Sequence, residues 1–142
     1  GTIYENNGKT PAEDVILYIH HTNQKGIYPT KGDETGWGRK HGYIRGWIKT
    51  GSDGRYTFYT SKPGIYPDST MPAHIHPIIL EPGGKYYYLG SYHFSNDPLL
   101  IREHIHPEAP RGGSSGLLEL HNKNGILTGQ RDIILGKNIP DW

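Results

Sequence analysis

The sequence predicts an all-β protein, a β-sandwich of two mostly antiparallel sheets, from three observations. The 142 residues include 20 glycines, 11 prolines and 11 tyrosines, and only 33% are hydrophobic. This composition is typical of short strands joined by many turns. Runs rich in β-branched and aromatic residues, such as 15–20, favour strands, and proline and glycine recur between them. The length predicts a single domain, residues 1–142, with its own core.

The elements are predicted in chain order from strand and turn signals. A strand at residues 1–4 is followed by an Asn-rich turn and by a second strand at 15–20. A polar, glycine-rich loop is expected at 29–42, and a hairpin that turns at Asp53-Gly54 is expected across 43–60. One short helical turn is expected within 98–114. The remaining predicted strands are 74–80, 86–89, 91–94, 117–121 and 129–135.

Charge and hydropathy exclude two classes of partner. The formal net charge is +1 and no block of like charge occurs, which argues against nucleic acid and anionic membranes. No apolar run approaches the ~18 residues of a membrane span.

The absence of cysteine is compatible with export, and a start at Gly1 suggests that a leader or anchor has been removed. The compartment, cytoplasmic or exported, and the formation of a homo-oligomer stay open.

The stretch from Pro63 to His76 predicts a metal site. His74 and His76 lie two positions apart on a predicted strand, so their side chains point to the same face and can reach one metal ion. The Pro-Gly turn before Tyr66 excludes a helix and can carry the phenol back over the two histidines. Because a trivalent cation stabilises a phenolate, this combination favours Fe(III) over zinc or calcium.

Residues 54–67, followed by Pro72-Ala-His-Ile-His76, resemble the intradiol ring-cleavage dioxygenases, the family of catechol and protocatechuate 3,4-dioxygenases. The resemblance implies one non-haem Fe(III) held by two tyrosinates and two histidines, three of which match Tyr66, His74 and His76. The fourth ligand in the family follows a strand and a Gly-x-Tyr turn, which matches Tyr28. A catechol-type substrate would then be cleaved by O2 between its two hydroxylated carbons to give a muconate-type diacid. Tyr66 would also act in catalysis by taking a substrate proton.

The sequence departs from the family pattern at two positions. Met71 stands where the family has an arginine before the Pro-Ala-His-x-His element, and Ser91 stands in place of a glutamine on the following strand. Arg45 is the predicted catalytic substitute for the missing positive charge, with Arg39 as the alternative. The expected result is a slow enzyme or one with altered substrate preference. The helical N-terminal dimerisation segment of the larger catechol dioxygenases is missing.

Other interpretations of the same residues remain open at this point. Glu81, in combination with His74 and His76, partly matches a cupin-like metal site. A non-catalytic module that binds carbohydrate or a ferric catecholate would use exposed aromatic residues.

The second pair, His104 and His106, is predicted to lie in a loop near the active-site mouth rather than to bind a second metal. His41 is expected to reach the pocket from its loop. The other scattered histidines are interpreted as surface or packing residues, namely His20, His21, His93 and His121.

Overall fold

The computed structural model describes residues 1–142 and confirms the all-β sandwich. The strands are β1 (Ile3–Tyr4), β2 (Ile16–His20), β3 (Arg45–Lys49), β4 (His74–Leu80), β5 (Tyr86–Tyr88), β6 (Tyr92–Phe94), β7 (Leu117–Leu118), β8 (His121–Lys123), β9 (Ile126–Thr128) and β10 (Ile133–Ile134). The helices are α1 (Gly36–His41) and α2 (Arg102–Ile105), and one 3₁₀ turn spans Arg111–Gly113. Neither α-helix has the length and apolar character needed to cross a membrane.

The main layer is a six-stranded sheet built around β2 and β4. Its order is β3-β2-β4-β6-β7, and β5 pairs antiparallel with the C-terminal end of β4, from Ile78 to Leu80. β2 pairs antiparallel with both β3 and β4. Alternation along β2 directs Leu17 and Ile19 into the core and leaves Tyr18 and His20 on the outer face of the sheet. This outer face carries the site described below.

The second layer is small and, unlike the mostly antiparallel sheet that was predicted, parallel. β1 and β10 form a two-stranded ladder that is parallel, and β6 with β7 is parallel as well. Ile3 and Ile133, one from each strand of the ladder, are fully buried with Leu17 and Ile79 of the main sheet. They belong to one cluster of 16 buried hydrophobic residues between the two layers. The sandwich therefore has one core, although its second sheet is neither large nor antiparallel.

The prediction of a hairpin across residues 43–60 is wrong. β3 ends at Lys49, and residues 55–60 contribute only an isolated bridge between Arg55 and Thr2. Thr50 turns inward, where its hydroxyl donates to the Ala12 carbonyl at 2.7 Å. The chain then crosses to the other layer, where the Tyr56 amide donates to the Gly1 carbonyl. A strong Asp-Gly turn signal thus marks a crossover between layers.

Residues 29–42 also differ from the predicted structureless loop, because they contain α1. This helix has only six residues, two of them glycines, so its intrinsic propensity is poor. Its last residue, His41, is buried against the main sheet, and tertiary packing therefore stabilises it. The hairpin of β8 and β9, which turns at Asn124-Gly125, was not predicted either. The predicted helical turn within 98–114 is present as α2.

Candidate metal centre

The four predicted ligands lie together on the outer face of the main sheet, at the start of β4. The Nε2 atoms of His74 and His76 are 3.0 Å apart. The Tyr66 hydroxyl lies 3.2 Å from each of these nitrogens, and the Tyr28 hydroxyl lies 2.7 Å from the Tyr66 hydroxyl. Ile75, between the two histidines, points into the core. The structure therefore brings together two imidazole nitrogens and two phenol oxygens from three separate segments.

The loops that carry the two tyrosines are held against each other through their backbones. The Gly64 amide donates to the Asn23 carbonyl at 2.9 Å, and the Thr22 hydroxyl donates to the Gly64 carbonyl at 2.9 Å. Gly26 has a φ of +75°, and a Cβ there would collide with the Ile65 carbonyl. Glycine is thus required two residues before Tyr28, because a side chain would push the two loops apart.

His74 is held firmly by its own backbone neighbourhood. Its Nδ1 donates to the Pro72 carbonyl at 2.8 Å, and a carbonyl can only accept, so Nδ1 carries the proton. The Nε2 lone pair of His74 must therefore face the other three donor groups. The start of β4 is fixed in turn, because the Ala73 amide donates to the Asp97 carboxylate at 2.8 Å.

His76 is held differently. Its Nδ1 lies 3.5 Å from the Ser91 hydroxyl, at the outer limit of a hydrogen bond. Its ring stacks on His20 with a centroid separation of 4.7 Å and an interplanar angle of 18°. His20 stacks in turn on His41 at 3.7 Å and 9°, and the Tyr18 hydroxyl lies 2.8 Å from Nδ1 of His41. Ser91, the residue that departs from the family pattern, thus contacts a predicted ligand.

Burial sets the protonation of these groups. Desolvation, with a smaller effect of His74, lowers the pKa of His76 to about 4. Desolvation also lowers the pKa of His74. Burial raises the pKa of Tyr28, and the hydrogen bond with Tyr66 raises it further. At neutral pH and without a cation the rings are neutral and the Tyr28 phenol is protonated, whereas an adjacent metal ion would favour the phenolate.

The donor set fits a hard trivalent ion. Three oxygen or nitrogen atoms surround the Tyr66 hydroxyl, which has one hydrogen to donate. Separations of about 3 Å are typical of neighbouring ligands around one metal ion with bonds of about 2.0–2.2 Å to nitrogen and oxygen. No cluster of three or more histidine, cysteine, aspartate or glutamate side chains with metal-binding geometry exists. A metal ion at this centre would therefore need the phenol oxygens as ligands. Two nitrogens with two phenol oxygens suit Fe(III).

Three other predicted residues make no hydrogen bond to this centre. Arg45 pairs in register with His20, but its guanidinium donates to the Gly42 carbonyl and makes no hydrogen bond to the four predicted ligands. Met71 is 47% exposed. Glu81 lies beyond the opposite end of β4, where its carboxylate accepts hydrogen bonds from Tyr87 and Trp142 at 2.7 and 2.6 Å. Glu81 therefore does not join the histidine pair, as a cupin-like site would require.

The sequence interpretation missed two histidines that flank the centre. His20 and His93 are buried, and Nδ1 of each finds no hydrogen-bond partner in the protein. His93 pairs in register with His74, and its ring centroid is 4.7 Å from that of His104. The predicted positions of His41 and His104 near the site agree with these contacts. The signal for His20 and His93 lies in the pairing of distant strands, which no local motif reveals.

No protein-family model matches the chain. Among curated proteins, it is 28% identical over 127 residues to the protocatechuate 3,4-dioxygenase beta chain of Burkholderia cepacia. The match covers 83% of this chain and 52% of that protein, so the chain spans about half the length of this relative.

Two solved structures share the fold. The dioxygenase domain of a dioxygenase carbohydrate-binding protein fusion from Streptomyces sp. SirexAA-E superposes with a TM-score of 0.68 and 24% identity, and the match covers 95% of this chain and 75% of that one. The intradiol ring-cleavage dioxygenase of Tetranychus urticae superposes with a TM-score of 0.62 and 21% identity, with 94% and 76% covered.

Proposed function

We propose that this chain, which is intradiol dioxygenase-like in sequence and fold, is a mononuclear non-haem Fe(III) enzyme that cleaves a catechol-type ring between its two hydroxylated carbons. The observation that carries the proposal is the convergence of three donor atoms on the Tyr66 hydroxyl, which lies 2.7 Å from the Tyr28 hydroxyl and 3.2 Å from the Nε2 atoms of His74 and His76. The reaction consumes one O2 per ring, and both oxygen atoms remain in the muconate-type diacid. It needs no external reductant, because the catechol supplies the electrons.

The bound ferric ion would supply a Lewis-acidic centre for the two catechol oxygens. Tyr66 is the proposed proton acceptor, because its oxygen lies centrally, between Tyr28 and the two histidine nitrogens. His74, locked by Pro72, holds its lone pair in one direction. His20 covers one face of the His76 ring and is backed in turn by His41.

A second candidate function is the binding of a ferric catecholate without ring cleavage. Two observations favour it. Met71 brings no charge to the site, and Arg45 is engaged with the Gly42 carbonyl. Neither residue donates a hydrogen bond to the four predicted ligands, and stabilisation of developing charge by a donor is worth about 2.7–4 kcal/mol in enzymes. Chemistry would then be slow or absent although the metal and the catechol bind.

The experiment that tests the proposal uses Fe(III)-loaded protein with catechol and substituted catechols. Oxygen uptake, product mass after reaction in ¹⁸O2, and the visible spectrum are recorded together. We expect a charge-transfer band from the tyrosinates and a diacid that contains two ¹⁸O atoms. His74→Ala should lose both, whereas His121→Ala, a matched change on the exposed strand β8, should keep both. Catechol binding without oxygen uptake would reject the enzyme and leave the binding protein.

A further inference from the structure

The two histidines of the candidate metal centre are supported unequally. Nδ1 of His74 has a hydrogen bond of 2.8 Å to a backbone carbonyl, whereas Nδ1 of His76 has only the 3.5 Å contact with Ser91. Histidines that bind metals usually donate their second ring nitrogen to a fixed acceptor, which orients the ring. His76 therefore needs another source of orientation.

That source lies on the neighbouring strand. His20 faces His76 in register across β2 and β4, and their rings are nearly parallel, 18° apart, with centroids 4.7 Å apart. This geometry is an offset stack, which is favourable for planar rings.

His20 offers ring faces rather than hydrogen bonds. It is 5% exposed, and its buried Nδ1 has no partner in the protein. Its other face is covered by His41, 3.7 Å away and 9° from parallel. His41 is itself fixed by the Tyr18 hydroxyl at 2.8 Å and packs against Trp37 at 4.9 Å. The rings of His76, His20 and His41 thus form a continuous stack that ends on α1.

We propose that His20 and His41 are positioning residues that fix the ring plane of His76 by stacking, and so tighten the binding of Fe(III). The inference rests on the proposed function, since it assumes that His76 binds the ion. It also explains α1, a helix of poor propensity whose buried residue is His41. The helix would be retained because it closes the stack.

The test compares two substitutions of His20 that differ in aromaticity. His20→Phe keeps a flat ring and removes the nitrogens, and His20→Leu removes the flat ring at similar size. Fe(III), supplied as its nitrilotriacetate complex, is titrated into each apoprotein, and the loss of visible absorbance in a strong chelator gives the dissociation rate. Thermal unfolding of each apoprotein checks the fold. His121→Ala is the control for loss of a histidine distant from the stack.

We expect His20→Leu to weaken Fe(III) binding about 10- to 100-fold and to speed its release, whereas His20→Phe should lose less than about tenfold. His41→Leu should weaken binding too, and its effect should largely disappear in a His20→Leu background, because both residues act through His76. The apoprotein melting temperatures of the Phe and Leu variants should be similar.

Three results would overturn the stacking role and leave the proposed function intact. One is equal Fe(III) affinity in wild type and both His20 variants. Another is an equal loss in both, matched by equal loss of stability, which would indicate packing alone. The third is complete loss of iron in His20→Phe, which would make His20 a ligand. Wild-type protein that binds no Fe(III) would overturn the proposed function together with this inference.

Discussion

Two polar clusters lie in this small sandwich, one buried and one partly buried, and they differ in how their hydrogen bonds are completed. In the arginine cluster, formed by Arg131, Tyr56 and Tyr92, the guanidinium is 4% exposed and donates to the Ser114 hydroxyl and to three backbone carbonyls. The Tyr56 hydroxyl donates to the Arg131 carbonyl at 2.6 Å and accepts from Tyr92 at 2.9 Å. Each of these side chains is thus engaged by partners within the fold.

The metal cluster, formed by Tyr28, Tyr66, His74 and His76, has the opposite character. Its donor atoms face one another, and the flanking His20 leaves a buried nitrogen without a partner. Buried polar groups in proteins are normally satisfied, and exceptions concentrate at functional sites. The arginine cluster thus completes its hydrogen bonds within the fold, whereas the metal cluster has the arrangement that the proposed Fe(III) site requires.

The largest effect should come from removing an imidazole of the metal cluster. His74→Ala and His76→Ala should each abolish stoichiometric Fe(III) binding, because an alanine supplies no donor. The apoprotein should unfold at nearly the wild-type temperature. Metal analysis and thermal unfolding measure the two quantities. Full iron content with a wild-type visible spectrum in both variants would show that the cluster is not the site.

The second prediction concerns the arginine cluster, where stability should be lost and iron binding kept. Arg131→Met should lower the free energy of unfolding by about 3 kcal/mol or more, because it leaves several buried carbonyl groups without a donor. The folded fraction should bind Fe(III) as wild type does. Urea unfolding followed by circular dichroism measures the loss. An exposed arginine such as Arg102 is the matched control, and Arg102→Met should change stability by less than about 0.5 kcal/mol.

The sequence allowed the prediction of much of the site, because its key features are local. The two-residue spacing of His74 and His76 specifies a shared strand face, and glycine turns precede both tyrosines. The resemblance to a known family supplied Tyr28. By contrast, the neighbours of these residues depend on strand register. His20 meets His76 only because β2 pairs with β4, and no pattern within residues 15–20 contains that information.

The fold, like the site, was predictable only where its signals are local in the sequence. Runs of β-branched and aromatic residues between glycines and prolines identified most strands. The error at residues 55–60 arose because a turn signal specifies a reversal and not the sheet that receives the chain. The helix α1 escaped prediction because contacts of His41 outweigh the poor propensity of its two glycines.

The third prediction concerns the stability of the metal-free protein at acidic pH. The pKa values of His76 and His93 are lowered to about 4 by burial, against 6.5 in the unfolded chain. Between these values the unfolded state binds more protons than the native state, so stability should fall as pH drops from 6.5 towards about 4. Each histidine can contribute up to about 1.4 kcal/mol per pH unit.

The same measurement separates the clusters. His93→Phe should reduce the slope of stability against pH by up to one proton. Arg131→Met should lower stability across the whole pH range and change the slope only slightly, because the Arg131 charge is a minor cause of the lowered pKa of His93. Urea unfolding at several pH values in this window gives both quantities. A wild-type slope that is flat would mean that these histidines are already accessible to protons in the native state.

The smallest effects come from the same substitution in each cluster, Tyr56→Phe and Tyr28→Phe. Tyr56→Phe removes a buried hydroxyl that makes two hydrogen bonds, and should cost about 1–2 kcal/mol of stability. The iron spectrum should be unchanged. Tyr28 is half-buried, and its hydroxyl bonds only to Tyr66. Its removal should cost less than about 1 kcal/mol, while the charge-transfer band of the Fe(III) protein shifts and weakens.

The paired design matters because either variant alone is ambiguous. A spectral change in Tyr28→Phe could follow from a loosened fold, and only an apoprotein that unfolds near the wild-type temperature assigns the change to a lost phenolate. A stability loss in Tyr56→Phe could follow from disturbance of the whole sheet, and only an unchanged iron spectrum confines it to the arginine cluster. If Tyr28→Phe keeps the wild-type band, the phenol is not a ligand, and Tyr66 would then be the single tyrosinate beside the two histidines.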